Sequence, residues 1–337
     1  MDAMSGEGES TLAARVSPAG VEPVRDRTPG EPAVERPQEI RAVRRHGFSK
    51  PTSPAALLRE LGLRPRKTLS QSFLTDNGVV RQIVAAADVG PEDDVLEVGP
   101  GLGILTQELA ARARRVVAFE LDRELAAALP RLLPENVEIV QGDALELEPA
   151  SHFSGPYKLA ANLPYQITSP FLFRYLSLRP GPSVLVLMVQ REVAERIAAR
   201  PGELSYLAVA VQSAATPRMV RLVPPGAFHP RPNVESAVVK LEPLAEPLVP
   251  PEQRTGFLDV VRAGFGQPRK QLLNSLHQGL GEGVATRREG WSRDEVRQLL
   301  VRSGIDAERR PQALTLDDWR LLFETFAAVR QERSSRT

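Results

Sequence analysis

Leu96-Glu-Val-Gly-Pro-Gly-Leu-Gly103 joins a short apolar strand, Asp94–Val98, to a helix that runs through Leu105, Leu109 and Ala110. Glycine at 99, 101 and 103 lets the backbone turn sharply and approach a ligand closely. The helix that follows aims its N-terminal amides at that ligand. Strand, glycine turn and helix in this order open a doubly wound α/β sheet, with a binding site at the strand's C-terminal end.

The same alternation extends to both sides. Upstream, Asp76 is placed to cap a helix carrying Val79, Val80, Ile83, Val84 and Ala87. Downstream come a strand at Arg115–Glu120, a helix near Arg123–Leu133, strands at Val137–Val140 and Tyr157–Ala161, a helix at Thr168–Leu178 and a strong strand at Ser183–Val189. Short apolar strands alternating with helices predict a parallel, Rossmann-like sheet. Two later strands, Arg218–Val223 and Val234–Leu241, are expected to form an antiparallel edge. After Pro250 the pattern becomes purely helical, with i, i+3/i+4 spacing over Gln253–Phe265, Arg269–Leu280, Ser292–Ser303 and Leu316–Val329. The expected organisation is a sheet domain over residues 53–248, opened by a short helix at Pro54–Leu61 with Ser53 as its cap, and a smaller all-helical domain over 249–337. Residues 1–52, rich in Pro, Gly, Glu and Arg without apolar periodicity, read as a disordered tail.

Composition narrows the function classes. A chain of 337 residues, 42% hydrophobic and 25% charged, fits a soluble two-domain protein. It has no cysteine, which excludes disulfides, thiolate metal sites and cysteine nucleophiles together. The four histidines, His46, His152, His229 and His277, make no metal-ligand spacing, so no metal is expected. No stretch approaches the roughly 20 apolar residues of a membrane helix, and no signal-peptide core opens the chain. A cysteine-free chain also fits a reducing compartment, and the expectation is a cytoplasmic protein with no membrane partner. The net charge of +1 argues against a uniformly basic nucleic-acid binder. RNA contact, if any, must come from local patches, and these would be mostly arginine, suited to bidentate phosphate contact.

Dinucleotide enzymes share a similar glycine turn, but two carboxylates shift the reading. Glu97 ends the first strand of the sheet just before the glycines, where it can face an ammonium group and would repel a pyrophosphate. Glu120 ends the next strand, placed to accept hydrogen bonds from both hydroxyls of a ribose. After the third strand, Asp143 of Gly142-Asp143 could accept from an adenine amine. Ribose, adenine and an amino-acid tail without phosphate describe S-adenosylmethionine.

Asn162-Leu-Pro-Tyr165 directly follows the fourth strand. The lone pair of an adenine N6 is delocalised into the ring and is a poor nucleophile. Two acceptors aimed at its hydrogens push the nitrogen toward sp³ and direct the lone pair at a sulfonium methyl. The Asn162 side-chain oxygen and the Leu163 carbonyl can do this. Pro164 stiffens the backbone and donates nothing. Tyr165 can stack the extruded base, worth about 1–3 kcal/mol, comparable to the cost of unstacking it. No strong base is needed, because positioning supplies much of the effect.

In these motifs the chain resembles the ribosomal RNA adenine N6,N6-dimethyltransferases, most closely the bacterial small-subunit (16S) group. The resemblance runs from about Arg64 to Phe326. It is carried by Leu69-Ser-Gln-Ser-Phe-Leu-Thr-Asp76, the Glu97–Gly103 turn, Glu120-Leu-Asp122, Gly142-Asp-Ala144, Asn162-Leu-Pro-Tyr165, Gln190-Arg-Glu192-Val, Val223-Pro-Pro225, Phe228-His-Pro-Arg-Pro-Asn-Val234 with Ser236, and Phe265 through Arg269-Lys270 to Asn274-Ser-Leu276. It implies transfer of methyl groups from S-adenosylmethionine to N6 of two adjacent adenosines in 16S rRNA of the immature small subunit, by a monomer. It implies that Gln71 helps hold the cofactor's amino-acid end, with Ser72, Phe73, Leu74, Leu121, Ala144 and Asn162 along the cofactor. Phe228 would give the second face of the adenine stack, and Arg269 and Lys270, on a helix, would touch phosphates. The family usually reads Gly-Gln-Asn-Phe where this chain has Ser70-Gln71-Ser72-Phe73, and commonly Glu where it has Gln312.

Three other functions share parts of this pattern. The macrolide-resistance methylases of 23S rRNA share nearly every motif, but Leu163 stands where isoleucine is common there. A ribosome-assembly factor without turnover would not need Glu97, Asn162 and Tyr165 intact. Protein glutamine and DNA adenine methylases usually carry Pro at the position of Leu163.

Overall fold

Asp94–Val98 (β2) is buried along its whole length, as a strand covered on both faces must be. The computed structural model describes residues 53–63, 72–281 and 290–335. The tail expected over 1–52, and Gln71 with its expected role, lie outside the described residues. The described residues all fall in one compact unit.

β2 pairs in parallel with Arg115–Glu120 (β3) on one side and with Lys158–Asn162 (β5) on the other. Val137–Gln141 (β4) lies outside β3, and Val184–Gln190 (β6) outside β5, both parallel. Ser236–Pro243 (β9) then pairs antiparallel with β6, and Ala215–Val223 (β7) antiparallel with β9. The order β4-β3-β2-β5-β6-β9-β7 is the expected parallel sheet with an antiparallel edge. Its direction of winding reverses between β3 and β5, at β2. In open α/β sheets the crevice beyond the strands' C-terminal ends at such a point is where ligands bind.

Alternate residues of the central strands face opposite layers. Val95, Val116, Ala160 and Val186 pack against Asn77–Ala87 (α2) and Ile104–Ala110 (α3). Leu96, Val117, Leu159 and Leu185 pack against Thr168–Tyr175 (α5), Arg191–Ile197 (α6) and Tyr206–Gln212 (α7). Asp76 caps α2 as expected, accepting from the amides of Gly78 (2.7 Å) and Val79 (3.1 Å). The helix expected near Arg123–Leu133 ends earlier: Arg123–Ala128 (α4) gives way to a 3₁₀ turn at Leu129–Arg131, where Pro130 removes a helical N–H.

A two-stranded pairing lies apart from the main sheet. Phe73–Leu74 (β1) runs antiparallel to Phe228–His229 (β8), with Leu74 opposite Phe228. This joins two segments more than 150 residues apart beside the glycine turn.

The C-terminal region is helical, as expected: Arg254–Phe265 (α8), Leu272–Gly281 (α9), Arg293–Arg302 (α10) and Leu316–Ser334 (α11). Capping boxes at Ser292/Glu295 and Thr315/Asp318 start α10 and α11. Phe257, Val261, Trp319 and Phe323 are buried in a core that also takes Ala208, Val209 and Ala210 from α7. Arg254 fastens this core to the sheet layers. The residue is 6% exposed, and its guanidinium donates to the Ala210 carbonyl (2.8 Å), Ser213 Oγ (3.2 Å) and Ser177 Oγ (3.1 Å). Burial lowers its pKa to about 10. The Ala210 carbonyl belongs to the C-terminal turn of α7, the negative end of a helix dipole, which suits a buried cation.

Candidate active site

The glycine turn sits at the C-terminal end of β2. Gly99, Gly101 and Gly103 have φ of 71°, 57° and 81°, the left-handed region where a side chain is strained. Space matters as much as torsion at Gly101, where an added Cβ would stand 3.1 Å from the Phe73 ring. β1 therefore closes against the turn, and a side chain at 101 would have to push the Phe73 ring aside by a few tenths of an ångström. Gly103 is the N-cap of α3 and packs toward Leu133, outside the lining of the pocket.

Beyond the turn a pocket opens between the ends of β2, β3, β4 and β5. It is lined by the expected residues Ser72, Phe73, Leu74, Glu97, Gly99, Gly101, Glu120, Leu121, Asp143, Ala144, Asn162, Leu163, Pro164, Tyr165 and Phe228. Ile104, Leu125 and Ile167 line it too, and no sequence motif had marked them.

Glu97 is 1% exposed, and its Oε2 has no hydrogen-bond partner. Burial pushes its pKa up to about 8. The Thr106 hydroxyl pulls it the other way, and the charge of Glu120 pushes it up further. A buried carboxylate is costly unless paired with a cation, so the residue fits an ammonium-bearing ligand. Glu120 is also buried, which raises its pKa, against the amides of Asp122 and Gly101 that lower it. Oε1 accepts from Asp122 N–H (2.8 Å) and Oε2 from Gly101 N–H (3.3 Å). Each oxygen keeps a second lone pair, enough for a pair of ribose hydroxyls. Asp143 Oδ1 accepts from the Leu145 amide at 2.8 Å, which steadies its loop. The Tyr175 hydroxyl of α5 donates to the Ala144 carbonyl at 3.0 Å, bracing the same loop from beneath.

Asn162 is the last residue of β5, one position further into the strand than the sequence suggested. Its Nδ2 donates to the Ser72 carbonyl at 3.4 Å, which leaves Oδ1 as the acceptor. A Cβ built on Gly99 would stand 3.8 Å from the Asn162 carbonyl oxygen, so the glycine turn and the Asn162–Tyr165 loop are close neighbours. Leu163 is 2% exposed and its N–H donates to the Met188 carbonyl (3.1 Å), which anchors the loop to β6. Tyr165 begins a 3₁₀ turn, and its hydroxyl is 2.9 Å from Ser236 Oγ.

Arg269 and Lys270 do not lie on a helix. They are exposed in the turn between α8 and α9, which begins only at Leu272. Among the described residues no group of three or more His, Asp or Glu could hold a metal ion, and no helix is long and apolar enough to cross a membrane.

A family model described as ribosomal RNA adenine dimethylase matches residues 62–297. The chain belongs to that family. Its reaction class is methyl transfer to adenine in ribosomal RNA. The dimethylase is 44% identical over 289 residues to ribosomal RNA small subunit methyltransferase A of Moorella thermoacetica, covering 82% of this chain and 97% of that protein. It is 43% identical over 294 residues to the protein of the same name from Pelotomaculum thermopropionicum, covering 81% and 96%. Among solved structures, it resembles a dimethyladenosine transferase from Plasmodium falciparum with a TM-score of 0.63 and 26% identity, covering 76% of this chain and 98% of that one. It also resembles the 23S rRNA methyltransferase ErmE with a TM-score of 0.58 and 29% identity, covering 76% and 99%.

Proposed function

We propose that this dimethylase uses S-adenosylmethionine to methylate N6 of two adjacent adenosines in 16S rRNA of the immature small subunit, acting as a monomer in the cytoplasm. The observation that carries the reading is the meeting, in one pocket, of the Asn162–Tyr165 loop with the Glu97–Gly103 turn. The choice of the small subunit rests on relatives at 43–44% identity that carry that name over nearly their whole length.

The residues present fit the cofactor. Glu97 offers a carboxylate for its ammonium group, Glu120 two acceptors for its ribose, and Asp143 an acceptor for its adenine amine. Ser72, Phe73, Leu74, Leu121 and Ala144 line the remaining surface. When bound, S-adenosylmethionine supplies a methyl group on a good leaving atom, sulfur. Asn162 Oδ1 and the Leu163 carbonyl accept the two N6 hydrogens of the target adenine and hold its lone pair toward the glycine turn. Tyr165 and Phe228 hold the base by its faces. The N6 proton is lost to solvent once the nitrogen has been alkylated.

Mass spectrometry of small-subunit RNA, from immature subunits incubated with and without the protein and cofactor, should show dimethyladenosine only with both. Dimethyladenosine formed in large-subunit RNA instead would move the protein to the 23S-modifying branch. Cofactor binding without transfer to either RNA would leave an assembly factor.

Residues 249–337 are read as the RNA-binding domain, with Arg269 and Lys270 on phosphates. An exposed turn presents both cations to a curved backbone as well as a helix would. Arg269→Ala with Lys270→Ala should make the slope of log K against log salt shallower by about 1.5 for two lost phosphate contacts. An unchanged slope, measured by filter binding to small-subunit RNA, would return both residues to a merely solvated surface.

A further inference from the structure

Ser236 has no exposure at all, yet it carries a hydroxyl. It opens β9, in register with Gln190 of β6 and Val223 of β7, so strands flank it on both sides. Buried hydroxyls take partners. The partner here is Tyr165, 71 residues away in sequence, at 2.9 Å. Tyr165 is only partly buried, lines the pocket and stands on a short 3₁₀ turn. A phenol on such a turn could reach water with its hydroxyl and needs no buried partner for its own sake.

We infer that Ser236 is a positioning residue, which sets the Tyr165 ring for stacking on the target adenine. The inference rests on the proposed function for what the ring does, and on the 2.9 Å contact for how it is held. The Tyr165 hydroxyl lies on the long axis of the ring, so anchoring it fixes where that axis points. The in-plane preference of a phenolic O–H also biases the tilt of the ring about the axis. The anchor itself is rigid, because β9 is paired on both edges. β7 leads from the same register into the segment that carries Phe228, so both proposed stacking faces take their reference from one corner of the sheet. Without the Ser236 contact the ring gains freedom that a bound adenine would have to remove, and that loss falls on the reacting complex.

The test is a double-mutant cycle on the full chain, with Ser236→Ala, Tyr165→Phe and the pair, assayed as single turnovers on immature small subunits at saturating cofactor. Each single variant should slow transfer about five- to tenfold, the worth of one hydrogen bond, and the double variant should be no slower than the worse single. Cofactor affinity by calorimetry should stay within about twofold of wild type, because neither side chain is assigned to the cofactor. Full activity in Tyr165→Phe, or a double variant slower than the worse single, would overturn the inference. A structural effect of Ser236→Ala on folding does not spoil the cycle, since Tyr165→Phe removes the same bond from the accessible side. A second arm needs no turnover. The chain has four tyrosines, so the Tyr165 ring ζ-carbon can be assigned by its loss from the NMR spectrum of Tyr165→Phe. That resonance should shift in Ser236→Ala, and an unmoved resonance would overturn the contact. Wild-type protein that transfers no methyl would overturn the proposed function, while the NMR arm would still decide the contact.

Discussion

Asn162→Ala should slow methyl transfer by about 10²–10³-fold, the scale seen when one preorganised polar group is removed from a reacting centre, while cofactor affinity changes by no more than about threefold. Asn162 ends β5 in register with Met188 of β6, so its backbone is fixed on that side and its side chain projects from the rim of the sheet. Nδ2 is turned to the Ser72 carbonyl, and Oδ1 is the atom available to a substrate hydrogen. Alanine removes that acceptor and leaves the Leu163 carbonyl, which is backbone. One acceptor can hold an amine but cannot bring both N–H bonds out of the ring plane, so the loss falls on the reacting complex rather than on binding. The Ser72 contact, at 3.4 Å, is long and weak, and its loss accounts for the small change expected in cofactor affinity. Rapid-quench single turnovers with calorimetry on the same preparations make the comparison. If rate and cofactor affinity fell by equal factors, Asn162 would be a cofactor ligand and the assigned role would be wrong.

The parts of this site legible in the sequence are those that local chemistry dictates. Gly99, Gly101 and Gly103 announce their turn because all three take left-handed torsions that strain other residues, and at Gly101 the Phe73 ring leaves little room for a side chain as well. Glu97 and Glu120 are legible because carboxylates at the ends of apolar strands have few reasons to be there. The elements that stayed hidden fail for identifiable reasons. α7 is Tyr-Leu-Ala-Val-Ala-Val-Gln, buried on nearly every side between the sheet and the helical core, and such a segment shows no 3.6-residue period. α6 is short and mostly charged, and it is held by packing rather than by pattern. The pairing of β1 with β8 is two residues long and joins distant segments, so nothing local encodes it. It nevertheless sets Phe228 beside the cofactor-side segment. Ser236 was legible as part of a motif but not as a partner of Tyr165, because only the antiparallel return of β9 brings the two hydroxyls together. The helix start at Leu272 was misplaced by three residues because Arg269-Lys270-Gln271 are good helix formers that the chain spends on a turn.

Glu97→Gln should separate the two demands placed on the most deeply buried carboxylate of the site. With the pKa raised to about 8 by burial, Glu97 is protonated in the ligand-free protein at neutral pH. A folded-state pKa above the unfolded value means that its favourable contribution to stability is complete below about pH 4.5. That contribution is lost progressively as pH rises from there to about 8, at a cost on the order of 3–5 kcal/mol. Glutamine carries no such penalty. The variant should therefore melt at the same temperature as wild type near pH 4 and about 5 °C or more above it at pH 8.5. Glu120, whose pKa is also raised, remains in both proteins, so its contribution cancels in the difference. Cofactor binding should move the other way. An ammonium group beside Glu97 favours the carboxylate, so binding to wild type at pH 7 must expel a proton, and affinity must strengthen as pH rises toward 8. Calorimetry in two buffers of different ionisation enthalpy reads that proton directly. The variant should bind at least about tenfold more weakly, with no proton released, because a neutral amide replaces a charge-assisted partner. A wild-type melting temperature that stays flat from pH 5 to 8, or binding without proton release in both proteins, would mean that Glu97 is already ionised and paired within the protein. The ammonium of the cofactor would then have to be held elsewhere.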